Sequence, residues 1–286
     1  MLLKCHVVSL SQALVSIARV VVNIAQARVL VLGDGTMAKD NRKPHGELSE
    51  RTLREQVAAC TLLLNDLGLM GYSGHVSARL PGRDALLIQP FDQSRASLKP
   101  SDLLVVDFDG KVLAGPKGVR PVSEVFLHTE ILRARPDVNS VAHFHHELTT
   151  VFTLVEGLEL RLIKNHAVRW VSGIPVHEDP SHVSDSELGR SLATTLGPHH
   201  AALIRAHGQV IAAESVPGVL IDSVHFVENA EVMYQASALG KVKPLTEKEI
   251  AGFLHDFKRD RHIPKLWTYY VGRGRDKKLL PAKWDL

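Results

Sequence analysis

Cysteine is nearly missing from this chain of 286 residues: Cys5 and Cys60 are the only two. Two thiols make no disulfide framework, so a reducing, cytoplasmic setting is expected. An excess of one charge is missing too. The 34 Lys and Arg against 31 Asp and Glu leave a net charge of +3. That is too small a field to suggest a nucleic-acid binder. No long apolar run is uninterrupted. The most apolar stretch, "VSIARVVVNIAQARVLVLG", is broken by Arg19, Asn23, Gln26 and Arg28, whereas a spanning helix needs about 20 apolar residues. No small-residue cleavage site stands out after it. Internal repeats are absent. The expected partner is therefore a small molecule rather than a nucleic acid or a membrane.

What is present is ordinary soluble composition, 45% hydrophobic and 23% charged, ample for a sizeable core. Three regions are expected. Residues 1–48 read as an N-terminal extension, 49–240 as a catalytic domain, and 241–286 as a basic arm packing on the domain or on a neighbouring subunit. The arm holds twelve Lys or Arg against six acids, with Trp267, Tyr269, Tyr270 and Trp284 among them. Basic plus aromatic residues also suit nucleic acid, but no nucleic-acid motif accompanies them.

Within the central region, Ser49 is placed to cap a helix that Gly68 ends. Two short strands flank Pro81-Gly82, and a hairpin turns at Asp109-Gly110. Ser123 is placed to cap a helix stopped by Pro136. "VNSVAHFHH" reads as a strand and Glu147 to Val155 as a helix. "SDSELGRSLATTLG" is a capped helix, "AALIRAHG" a strand, and the stretch from Val216 a long helix with Gly240 past its end. Short hairpins among helices predict a largely antiparallel sheet between helix layers, an α/β/α arrangement.

The stretch "SVAHFHH" puts three histidines into an apolar run. Buried neutral imidazoles need partners for both nitrogens, so three are a costly way to build core. On a strand His143 and His145 share one face, and such a pair suits a metal. His146 points away. His207, before Gly208 at a strand end, is a candidate third ligand. Glu124, in the first turn of the Ser123-capped helix, is favoured there by the helix dipole alone. His128, one turn on, reads as no more than a helix-surface residue.

"RPVSEVFLHTEILRARPDVNSVAHFHH", "LIRAHGQVIAAES" and "HFVENAEVMYQASALG" together resemble the class II aldolase/adducin family, over about Leu53 to Gly240. The resemblance implies a central, mostly antiparallel sheet flanked by helices, and a homotetramer. It implies a divalent cation on His143, His145 and His207, with Glu124 as acid/base and in some members a further ligand. Zn, Mn, Fe, Co or Ni would suit three imidazoles.

Two departures bear on the substrate. Where sugar-phosphate members carry Gly-Asn-x-Ser, this chain has Gly74-His75-Val76-Ser77. Where they often carry Ser-Ser-Glu, it has Val122-Ser123-Glu124. The chain is more similar to the branch that decarboxylates hydroxylated aromatic or pyridine dicarboxylates. That likeness implies Glu124 and His75 as catalytic residues, with Ser77, Ser123 and Arg120 binding substrate. Arg79 and Arg120 could each grip a carboxylate in a planar fork or be ordinary surface arginines. The expected activity is decarboxylation of a hydroxyaryl dicarboxylate. The alternatives are a sugar-phosphate aldolase or epimerase and a non-catalytic adducin-like module. Retention of all three histidines and Glu124 argues against the last.

Overall fold

In the computed structural model, which describes residues 45–286, the first long element is α1 (Glu50–Asp66). Ser49 caps it, its hydroxyl accepting from the Thr52 N–H. Gly68, at φ 75°, lets the chain reverse, and the N–H groups of Gly68 and Leu69 close on Asn65 and Leu64. The expected extension, apart from its last four residues, lies outside the described part.

Eight strands follow the hairpin logic of the sequence: β1 (His75–Arg79), β2 (Ala85–Ile88), β3 (Leu104–Asp107), β4 (Val112–Ala114), β5 (Ser140–Phe144), β6 (Val176–His177), β7 (Ala201–Ile204) and β8 (Gly208–Ala213). They form one sheet in the order β4-β3-β2-β1-β5-β8-β7-β6. Every pairing is antiparallel except β6 with β7.

Alternation along the strands feeds two cores. Ala85 and Leu87, Val76 and Ala78, Ala142 and Phe144 pack with α1 and the long helix α5 (Val216–Leu239). Leu86, Ile88, Val141 and Val210 pack with α2 (Val125–Ala134) and α4 (Ser186–Leu196). The result is a three-layer α/β/α arrangement with both sheet faces covered, as the sequence predicts.

The C-terminal residues form α6 (Glu247–Asp256) and α7 (Arg259–Asp276). α7 sets Ile263, Trp267 and Val271 into the α1/α5 core. Arg259 reaches the buried Asp222 of α5 at 2.8 Å, and Arg169 joins it at 3.0 Å. Lys277 pairs with Asp66 of α1. Arg259 and Lys277 thus sit beside acids of the same chain, while the aromatics are divided between core and surface.

Three local expectations need correcting. Ser123 does not cap α2: the helix begins at Val125, Glu124 holds the N-cap position, and no side-chain cap forms. The helix expected over Glu147–Val155 ends early, as α3 (Glu147–Val151). There the Thr149 and Thr150 hydroxyls bond back to the His146 carbonyl, competing with helix continuation. Arg79 is neither a surface residue nor a substrate fork. Its guanidinium donates to the carbonyls of Leu132, Arg135 and Val138, closing the end of α2.

Candidate metal centre

β5 runs between β1 and β8, and this adjacency assembles the site. His75 is the register partner of His143 across β1–β5, and His143 stands opposite Val210 of β8. His75 and Ser77 alternate with the core residues Val76 and Ala78, so they face the α2 side. Glu124, immediately before α2, comes down onto the same face.

Two glycines permit the close approach. At Gly74, with φ 104°, a Cβ would lie 3.0 Å from the His143 carbonyl oxygen. At Gly208 it would lie 2.6 Å from the Phe144 carbonyl oxygen and 2.9 Å from His145 Cδ2. The turn Arg205–Ala206–His207, with Ala206 at φ 53°, joins β7 to β8 and carries His207 against the end of β5.

The ligand atoms of Glu124, His143, His145 and His207 all lie within 4.8 Å of one another. His143 Nε2 is 2.9 Å from His145 Nε2. Glu124 Oε2 is 3.4 Å from His143 Nε2, and Oε1 is 3.6 Å from His207 Nε2. Two ligands each about 2.1 Å from one cation stand about 3–3.5 Å apart, so these separations fit a shared ion. His143 Nδ1 is 3.0 Å from the Gln209 carbonyl oxygen and donates to it. That fixes the tautomer and leaves Nε2 as a bare lone pair.

The electrostatics agree with metal binding. Burial and the neighbouring His143 and His207 push His145 down to about 3. Burial and His143 push His207 down to about 4. Both are neutral at neutral pH, as ligands must be. Burial opposes ionisation of Glu124, but the neighbouring imidazoles of His143 and His75 outweigh it and hold the carboxyl well below its usual range. The raised value that proton donation by Glu124 would need is therefore not a property of the resting site.

His128 corrects the sequence reading most. It is fully buried, not on the surface of α2. Its Nε2 is 2.6 Å from His75 Nδ1, and its Nδ1 is 2.7 Å from Ser77 Oγ. His75 Nε2 in turn lies 3.5 Å from Glu124 Oε2. Burial pushes His75 down to about 4. Ser77 is 0% exposed, so its hydroxyl serves His128 rather than a ligand in the cleft.

The remaining expected residues lie further out. Ser123 and Arg120 are exposed, and the Arg120 guanidinium stacks 3.9 Å over the Phe91 ring. His146 occupies the N-cap position of α3, makes no side-chain cap and lies outside the ligand group. Two residues gave no signal in the sequence. Exposed His182 brings Nδ1 to 3.5 Å from Glu124 Oε1, beside the Val183 N–H that donates to the same oxygen at 3.2 Å. Buried Arg95 donates to the carbonyls of Gly74, Phe91 and Gln93, next to His75. Both sit in irregular segments with no periodicity to betray them.

A second group, His166, His225 and Glu228, also lies within ligand range. Its two imidazoles stack face to face at 4.0 Å, and Lys164 already holds Glu228 at 2.9 Å. Parallel rings do not converge their lone pairs on one ion, and the carboxylate has a cation.

Comparison with known proteins agrees with this geometry. Residues 55–234 match the Class II Aldolase and Adducin N-terminal domain. The chain is 31% identical over 239 residues to 3,4-dihydroxyphthalate decarboxylase of Arthrobacter keyseri, covering 79% of this chain and 95% of that one. It is 27% identical over 212 residues to 5-methylthioribulose-1-phosphate/5-deoxyribulose-1-phosphate aldolase of Rhodospirillum rubrum, covering 73% and 93%. Among solved structures, L-fuculose 1-phosphate aldolase from Glaciozyma antarctica superposes with a TM-score of 0.70 at 20% identity, over 85% of this chain and 96% of that one.

Proposed function

The chain belongs to the class II aldolase and adducin family, and from that premise we propose that it is a divalent-metal-dependent decarboxylase of a hydroxylated aromatic dicarboxylate. His143, His145 and His207 would hold the cation, with Glu124 beside it. The cation supplies Lewis-acid stabilisation of negative charge on a substrate oxygen.

Glu124, ionised at rest, acts first as a base. It takes the proton of a substrate hydroxyl and later returns it to the ring carbon bearing the carboxylate. Loss of CO2 restores the aromatic ring, and the product hydroxyl regains a proton from water. One proton is borrowed and one replaced, so the balance closes. The ionised carboxylate is in the right state to accept that proton, and negative charge from the substrate beside it raises its pKa towards the range that both transfers need. Exposed Arg120, braced on Phe91, is the proposed anchor for the second carboxylate. Arg95 adds positive charge behind His75.

The observation that carries the choice of a carboxylate over a phosphate is the packing of the two altered positions. A phosphate dianion wants several converging N–H or hydroxyl donors. Val122 is 3% exposed and built into the core under α2, offering no donor. His75 is 3% exposed, and its Nδ1 is engaged by His128. The similarity to a dihydroxyphthalate decarboxylase points the same way.

The test is a panel of dihydroxyphthalates, hydroxybenzoates and pyridine dicarboxylates, with Mn, Zn, Fe or Co added, monitored for CO2. A parallel panel of deoxyribulose and fuculose phosphates is monitored for aldehyde. Release of CO2 from a hydroxyaryl dicarboxylate is the expected result. Efficient cleavage of a sugar phosphate, with no CO2 from any aromatic acid, would establish the aldolase instead.

A further inference from the structure

Four buried groups stand in line behind the site: Glu124, His75, His128 and Ser77, respectively 2%, 3%, 0% and 0% exposed. Their contacts admit only one direction of hydrogen bonding, read from the far end. Ser77 is fully buried, and among the described residues the partner of its hydroxyl is His128 Nδ1 at 2.7 Å. The hydroxyl hydrogen must go there, because a buried donor without an acceptor is costly. His128 Nδ1 is then an acceptor, so the ring carries its N–H on Nε2 and donates to His75 Nδ1, 2.6 Å away. An imidazole bare at Nδ1 carries its hydrogen on Nε2, which in His75 faces Glu124 Oε2 at 3.5 Å. The reverse polarity would leave the Ser77 hydroxyl hydrogen without an acceptor.

We infer that Ser77 and His128 are positioning residues that lock His75 in its Nε2–H tautomer, making it a fixed neutral donor aimed at the reacting end of the cleft. The inference rests on the reading of Glu124 and its surroundings as the reaction centre. A preorganised N–H donor stabilises charge that develops on a substrate oxygen or on the departing carboxylate, without reorientation during the reaction. His75 thus holds a proton at Nε2 and does not compete with Glu124 for the substrate hydroxyl. Neither His128 nor Ser77 touches the cleft. Their effect passes wholly through the ring of His75, whose backbone is pinned by its pairing with His143 and whose Nδ1 has no other partner among the described residues.

The position of Ser77 is itself secured. Ser140 Oγ, on the paired strand, donates to the Ser77 carbonyl at 2.8 Å. The serine hydroxyl is then free to turn its hydrogen towards His128. The chain of donors runs from strand to helix and back to strand, so the tautomer depends on the docking of α2 on the sheet.

The experiment uses the full chain loaded with zinc and labelled with 15N-histidine. Solid-state NMR reads the tautomer of His75, assigned by difference from His75→Gln. The expected parent signal is protonated at Nε2 and bare at Nδ1. Ser77→Ala should mix the two tautomers. On whichever aromatic acid is turned over, it should lower kcat by about tenfold with KM within about twofold, a fraction of the full loss of one such donor. His128→Gln keeps an N–H near the old Nε2 and should retain kcat within a few-fold. His128→Leu removes the donor and should lose about 10²-fold, the metal staying at one per chain. A parent His75 protonated on Nδ1, or a Ser77→Ala variant with parental tautomer and kcat, would overturn the inference. So would equal losses in His128→Gln and His128→Leu. The NMR arm needs no substrate, so it succeeds or fails independently of the decarboxylase reading.

Discussion

Replacing Glu124 by Gln perturbs the site by one proton-accepting group and almost no volume. In the parent, Oε1 accepts the Val183 N–H at 3.2 Å, and Oε2 faces His143 Nε2 and His75 Nε2 at 3.4 and 3.5 Å. With the amide oxygen kept on Val183, the amide nitrogen would point at the His75 N–H, donor against donor. With the amide flipped, the same conflict moves to Val183. Either way one buried donor loses its acceptor, worth about 1–3 kcal/mol in stability. The catalytic effect is larger, because the amide cannot carry a proton. Loss of a general acid/base costs about 10²–10⁴-fold in rate. At about 1.36 kcal/mol per decade that is roughly 3–5.5 kcal/mol of barrier. The assay is CO2 release on the best aromatic substrate, paired with metal analysis of the same sample. The three histidines should retain the cation at one per chain while turnover falls. Turnover within a few-fold of the parent, with metal bound, would refute a proton-transfer role. Loss of the metal would show instead that the carboxylate is an essential ligand.

His143→Ala, His145→Ala and His207→Ala should each lower metal occupancy, whereas His146→Ala should not; metal analysis of the four proteins decides. Chelation should abolish turnover, and readdition of Mn, Zn, Fe or Co should restore it if the cation is the electrophile. Arg120→Ala should weaken substrate binding and catalysis with the metal in place; unchanged kinetics would transfer the anchoring role to Arg95. Asp222→Asn removes the buried acid that Arg169 and Arg259 share and leaves both partly buried guanidinium groups on Glu214 alone. With Glu214 still paired, the loss should stay below about 3–5 kcal/mol, the cost of a fully orphaned buried charge, and an unfolding midpoint equal to the parent's would contradict that reading. Acid should also destabilise the fold, as measured on metal-free protein. Burial pushes His166 down to about 3, and His200 and His225 down to about 4. The unfolded chain binds these protons near 6.5, the folded chain only near 3–4, so stability is lost as pH falls through that window. A melting temperature independent of pH between 7 and 5 would show these rings to be solvated.

The sequence by itself determined the layers, because they rest on short-range periodicity, and it offered His143, His145 and His207 as a candidate ligand set. Alternation along "SVAHFHH" already put His143 and His145 on one side. Gly68 and Gly240 already marked helix ends, and the spacing from Glu124 through His-x-His to His207-Gly208 already identified the family. Only the tertiary structure decided what those residues do for one another. Strand order set β1 against β5, and that pairing, invisible to any local pattern, brought His75 opposite His143. Docking of α2 on the sheet turned His128 from an apparent surface residue into the link between His75 and Ser77. It also placed Glu124 at the N-cap rather than in the helix's first turn, among the histidines, whose proximity reverses the effect of burial on its charge. Periodicity fixes which side of an element a residue faces. What stands there is a long-range contact, and its energy depends on partners tens of residues away.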